Sequence, residues 1–320
     1  MENKKSDQEY ICELCHSKKL RFLFSGEDKL LGIPGIFSNY QCNICGLYQI
    51  YPKLSEDQIK KYYPTEYICY LGAIEDEKNV LKRIDRYLGQ EKRCHQVKKH
   101  INNKGRILDI GCATGIFLNA MKTKGWECKG IEPDQGAASY AKERFGLDVF
   151  NGNLHEAQLK NNSFDVVSLW DVLEHVQDLH LTIQEVFRVL KPGGFLIGTL
   201  PNANAFERHL FGENWLGWEI PRHYRTFNQE TLSKFLMSKN FKDVKSFSFT
   251  GHHGAFMLSV DFWLRKSNVT KWKKVFLKRL LGSFFFRILT LPFFLILDLI
   301  NRSSVMAFVA NKPLFTKNNT

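Results

Sequence analysis

Between residues 106 and 200 the chain alternates short apolar runs with longer stretches whose apolar positions recur at helical spacing. The runs Arg106–Ile110, Cys128–Ile131, Asp148–Phe150, Phe164–Leu169 and Gly194–Leu200 read as strands. Ile116–Lys124, Gln135–Phe145, Leu179–Leu190 and Asn228–Ser238 read as helices. Such alternation predicts a parallel sheet covered on both faces, with ligands bound at the carboxyl ends of its strands. Upstream, Ser55 is placed to cap a short helix, and Asn79–His100 reads as an amphipathic helix rich in Lys and Arg. Tyr62, Tyr63, Tyr67 and Tyr70 cluster around Pro64, either packing on the next domain or lidding a pocket.

Downstream of Phe249 the pattern changes. Residues 271–281 form a basic amphipathic helix pattern, and residues 284–300 are strongly apolar. A membrane span needs about 20 apolar residues, and Arg287, Pro292 and Asp298 interrupt this stretch. Val305–Ala310 then reads as a last strand. The segment 262–300 is therefore expected to dock at a membrane interface or to pack on the domain rather than to cross a bilayer.

The net charge of +12 is uneven: no acid lies from Phe262 through Leu297, where eight cations fall. That pattern points to an anionic surface. A polar groove for nucleic acid is disfavoured, because these cations interleave with apolar runs. The N-terminal residues lack the apolar core of a signal peptide, so a cytoplasmic location is expected, peripheral at the inner face of the membrane if 262–300 docks. Reduced cysteines follow. Cys12-x-x-Cys15 and Cys42-x-x-Cys45, separated by 26 residues, have the spacing of a four-thiolate zinc site, with short ribbon strands between them. Four thiolates leave no open position on the metal, so this zinc would be structural.

The first sheet strand, Arg106–Ile110, carries Asp109 and breaks into Gly111-Cys112-Ala113-Thr114-Gly115 before a helix. The dinucleotide spacing G-x-G-x-x-G is not met. The segment resembles motif I of the class I S-adenosylmethionine (SAM) methyltransferases, and the likeness extends over about residues 106–249. Glu132, in Gly130-Ile-Glu-Pro133-Asp134, ends the second strand where the family places an acid on the ribose hydroxyls. A carboxylate accepting from a cis-diol fits that position. Asn153-Leu154 stands where the family has Asp-Leu beside the adenine, and Trp170-Asp171 follows strand four as a wall of the cofactor pocket. Asp109 is expected to orient the loop or to reach the methionine amino group.

The resemblance implies a seven-stranded Rossmann-like α/β core with a small N-terminal zinc ribbon and a C-terminal helical insert. The expected boundaries are 1–52 for the ribbon, 53–103 for a helical connector, 104–250 for the core, 251–304 for the insert and 305–313 for the last strand. Glu174-His175 resembles the "EH" box of small-molecule methyltransferases. His223-Tyr224, in Glu219–Phe227, resembles a segment bordering the acceptor site in relatives acting on ubiquinone precursors and sugars. His175 or His223, with Tyr224 nearby, would take the acceptor proton, or else serve as a structural residue. Arg222 and Arg225 either hold a substrate anion or form a solvated rim. The acceptor implied is a sugar or lipid-linked glycan intermediate, with quinone-type O-methylation second and a nucleic-acid-associated methyltransferase or binding module third.

Overall fold

The computed structural model describes residues 10–64, 71–101, 103–249 and 252–314. Tyr67 and Tyr70 of the aromatic cluster lie outside them. Strands β1 (Leu20–Gly26), β2 (Phe37–Cys42) and β3 (Tyr48–Tyr51) form an antiparallel ribbon joined by β9 (Arg225–Thr226). Helix α1 (Glu56–Lys60) starts at Ser55 with a full capping box, and α2 (Val80–His100) is capped by Asn79.

The second sheet contains β4 (Arg106–Ile110), β5 (Glu127–Glu132), β6 (Asp148–Asn151), β7 (Phe164–Trp170), β8 (Leu190–Pro201), β10 (Lys242–Ser248) and β11 (Val305–Asn311). The order is β10-β11-β8-β7-β4-β5-β6, with β8, β7, β4, β5 and β6 parallel. At one end Gly193 N–H donates to Lys312 O (2.8 Å), and at the other Asn202 N–H donates to Ser304 O (2.8 Å). Residue numbers therefore run in opposite senses, and β11 lies antiparallel to β8. Helices α3 (Ile116–Thr123), α4 (Gln135–Phe145), α5 (Leu179–Val189) and α7 (Gln229–Ser238) occupy the connections. The expected Rossmann-like core is present, and strand order reverses between β4 and β7, which is where such sheets open a crevice.

Two compact units divide the chain, and both are discontinuous. One comprises residues 1–62, 201–235 and 251–306; the other comprises 63–200, 236–250 and 307–320. This cuts across the boundaries drawn from sequence. The ribbon shares one core with α6 (Phe206–Phe211), with the turns around Trp215 and Trp218, and with α8 (His252–Lys266). Phe37, Tyr48, Trp215, Trp218, Val260 and Leu264 pack together there. A ribbon of some forty residues buries too little apolar surface alone, and the later segments supply the rest. In the same unit, α9 (Lys271–Leu281) and α10 (Phe284–Leu299) follow α8.

Candidate cofactor site and metal centre

The corner after β4 is built by backbone conformation. Gly111 (φ +67°) and Gly115 (φ +78°) both adopt left-handed geometry, and Ala113 (φ +47°) does so without being glycine. A Cβ on Gly111 would sit 2.7 Å from Val172, and one on Gly115 would sit 2.6 Å from Leu147. The glycines thus serve the loop's own packing, rather than only a ligand's close approach. Gly111 N–H (2.8 Å) and Cys112 N–H (3.1 Å) both donate to Ile131 O, locking the turn against β5. Cys112 is buried in that turn. Gly115 caps α3 and supplies no side-chain acceptor to the helix's first N–H groups, leaving an electropositive end facing the loop among the described residues.

Glu132 ends β5 beside this turn. Its two carboxylate oxygens accept from Ala113 N–H (2.8 Å) and Asp134 N–H (2.9 Å). The side chain is fixed in orientation before any ligand arrives. Burial pushes its carboxyl up to about 7, against the two backbone donors that pull it down. Asp109, fully enclosed on β4, accepts from Ser168 Oγ (2.6 Å). Burial raises it to about 7 as well. Pro133 is exposed, and Asn151 ties the carbonyls of Glu132 (2.9 Å) and Pro133 (3.0 Å) through its amide. Asn153 is exposed with its N–H donating to Glu156 (2.6 Å), while the neighbouring Leu154 is buried.

Across the crevice, Trp170 packs edge-on to Phe117 and stacks on Phe249 at 6.0 Å. Its buried Nε1 has no hydrogen-bond partner among the described residues. Asp171 (φ +57°) accepts from Thr199 Oγ1 (2.9 Å) and pairs with Arg93 (3.2 Å), whose guanidinium lies over the Trp170 ring. Thr114 donates to Leu71 O, so the start of the connector touches the glycine turn. Arg93, Ser168 and Thr199 were not legible as site residues, because each acts through a partner 28 to 78 residues away.

Glu174 is buried, and His175 Nδ1 lies 2.8 Å from Tyr63 Oη. That contact fixes the imidazole. For its other nitrogen to accept a proton, Nδ1–H must be the donor to Tyr63. His223 and Tyr224 belong to the ribbon-containing unit. His223 is buried with Nδ1 2.9 Å from Gly217 O, and Tyr224 donates to Leu54 O (3.3 Å). The arginines flanking them form no solvated rim and hold no open anion site, which corrects the sequence expectation. Arg222 is wholly buried, pairs through two nitrogens with Asp28 (2.7 and 3.1 Å), and donates to Glu219 (2.8 Å). Burial opposes that charge, but the two carboxylates overcome it and hold the guanidinium protonated. Arg225 grips Glu13 through two nitrogens (2.8 and 2.9 Å). Their partners lie 194 and 212 residues away, beyond any local signal.

In the ribbon, the sulfurs of Cys12, Cys15, Cys42 and Cys45 all lie within 4.8 Å of one another. Cys12–Cys45 measures 3.4 Å and Cys15–Cys42 3.5 Å. A tetrahedron with metal–sulfur bonds of about 2.3 Å has edges of about 3.8 Å. The four thiols lie close enough together to share a single zinc ion.

Comparison with known proteins gives the family. Residues 77–246 match the family model described as a methyltransferase domain, and the chain belongs to that family. It is similar to a probable S-adenosylmethionine-dependent methyltransferase of Mycolicibacterium smegmatis, 28% identical over 48% of this chain and 58% of the relative. It is also similar to a ubiquinone biosynthesis O-methyltransferase of Maricaulis maris, 31% identical over 39% of this chain and 52% of the relative. The chain thus spans about half the length of the curated relatives it matches. Among solved structures, a SAM-dependent methyltransferase from Archaeoglobus fulgidus is 19% identical, covering 71% of this chain and 94% of its own, with a TM-score of 0.49.

Proposed function

We propose that this chain binds S-adenosylmethionine at the corner formed by Gly111–Gly115 and Glu132 and transfers its methyl group to a small molecule. The observation that carries this reading is Glu132. A buried carboxylate, oriented by two backbone N–H groups and held near neutrality with no cation paired to it among the described residues, suits a cis-diol. The bound cofactor would supply an electrophilic methyl on a cationic sulfur, a group that asks mainly for a dry and oriented acceptor. Trp170 and Leu154 provide apolar walls, and the open N-terminus of α3 suits the carboxylate of an amino acid moiety. His175, steadied by Tyr63, is the group we assign to take the proton from an oxygen acceptor.

For the acceptor, a sugar or lipid-linked glycan intermediate is the favoured reading, from the resemblance of zinc-knuckle methyltransferases to glycan enzymes. A quinone-type O-methylation is the second reading, supported by the relatives named for ubiquinone biosynthesis. The four ribbon cysteines hold structural zinc in this proposal. Calorimetric titration with S-adenosylhomocysteine tests the cofactor site. Wild type should bind, and Glu132→Ala should lose about a hundredfold in affinity, the scale of two hydrogen bonds to a charged group. Its thermal unfolding should remain cooperative but fall by a few degrees, because Ala113 N–H and Asp134 N–H lose their acceptor. Silence in the wild-type titration, or equal affinity in the variant, would defeat the assignment.

A further inference from the structure

Helices α9 and α10 leave most of their apolar side chains in solvent. Along α10 only Phe294 and Leu297 are buried, with Phe294 packed edge-on against Phe256 of α8. Phe284, Phe285, Leu289 and Leu299 are each at least 66% exposed, and Trp272 on α9 is 67% exposed. Globular surfaces rarely carry a contiguous apolar patch on this scale without a partner.

No single helix among the described residues is long and apolar enough to span a bilayer; α9 and α10 reach that length and apolarity only as a pair, which is bent by 63°. With 16 residues, α10 is about 24 Å long at helical rise, short of a hydrocarbon core of about 30 Å. Both ends of the segment are also anchored in one unit. Before it, Ser259 Oγ on α8 accepts from Leu216 N–H (2.9 Å); after it, Ser304 O accepts from Asn202 N–H (2.8 Å). The bent pair must therefore enter and leave from the same side.

Charge selects among the possible occupants. Lys271, Lys273 and Arg279 form no ion pair among the described residues, and Arg287 adds a fourth cation between the apolar side chains. A second copy of this chain would bring like charges together across the patch. A nucleic acid would leave the phenylalanines and leucines wet. An anionic bilayer surface satisfies both, taking apolar side chains into the acyl boundary and cations among its headgroups. We infer that α9 and α10 form a bent wedge that docks the protein on the surface of an anionic membrane.

Flotation of the full-length protein tests this independently of methyl transfer. It should rise with phosphatidylcholine vesicles containing phosphatidylglycerol, and Trp272 emission should shift to the blue. Phosphatidylcholine alone and high salt should weaken binding. Phe285→Asp/Leu289→Asp should reduce partition at least about tenfold, by loss of two buried apolar side chains. Lys271→Gln and Arg279→Gln should each cost about fivefold on anionic vesicles alone. Both residues of the double variant are exposed, so its thermal unfolding should match wild type. Failure to float, or equal binding to neutral vesicles, would overturn the inference. So would a dimer in solution abolished by Phe285→Asp/Leu289→Asp, or salt-sensitive retention on RNA without vesicle binding.

Discussion

The two units bury charged side chains in opposite ways. In the sheet unit, Glu132 and Asp109 are enclosed with backbone and hydroxyl donors but form no ion pair among the described residues, and burial lifts both toward neutrality, opposed at Asp109 by the more distant charge of Arg93. In the ribbon unit, Arg222 is enclosed by Asp28 and Glu219, and Arg225 by Glu13, so each charge is answered within the protein. A buried charge answered internally is architecture. A buried charge oriented but unanswered is a site waiting for a ligand. This contrast separates the proposed cofactor corner from the arginine cluster, although sequence alone offers both as binding residues.

The contrast can be broken most severely at the metal. If the four sulfurs hold zinc, one ion per chain should appear in metal analysis of freshly purified protein. Chelation should then unfold the ribbon unit first, since structural zinc contributes on the order of 10 kcal/mol in small domains. Zinc-free protein with an unchanged melt would remove the centre. Next in size is the arginine cluster. Arg222→Met strands Asp28 and Glu219 and should cost about 3–5 kcal/mol in denaturant unfolding. S-adenosylhomocysteine affinity of the folded fraction should be unaffected. A selective loss of binding instead would return Arg222 to the site.

The smallest effect sharpens the other side. Asp109 and Glu132 titrate in the fold near 7, above their unfolded values of 3.8 and 4.5. The fold is therefore favoured with the proton on. That contribution is complete below the unfolded values and is lost as pH rises to about 7. Asp109→Asn keeps an acceptor for Ser168 and removes the charge, so it should raise stability by about 1–3 kcal/mol at pH 8 and by nothing at pH 4. It should also weaken binding of the cationic cofactor. Binding to wild type should release protons near pH 7, seen as a calorimetric heat that varies with buffer ionisation enthalpy. A variant that is destabilised at pH 8 would show that Asp109 is answered internally after all.

Several elements were legible because their signals are local. Gln135–Phe145 is helical over the span read from periodicity, with Asp134 as its cap and left-handed Gly146 at its end. Asn79 and Ser55 cap the helices they precede in sequence. Glu132 was legible because it follows a strand that the alternation of apolar runs already marks. The clustering of the four cysteines was legible because each C-x-x-C turn sets its own two sulfurs.

What the sequence could not carry is which distant groups answer which. Arg222 and Arg225 look alike whether their carboxylates belong to a substrate or to Asp28 and Glu13. The choice is made by chain segments nearly two hundred residues apart. Likewise, residues 1–62, 201–235 and 251–306 share a core that no local pattern announces. Periodicity, caps and turn chemistry act over a few residues and so belong to the sequence. Burial and charge pairing depend on which surfaces meet, and only the folded chain decides that.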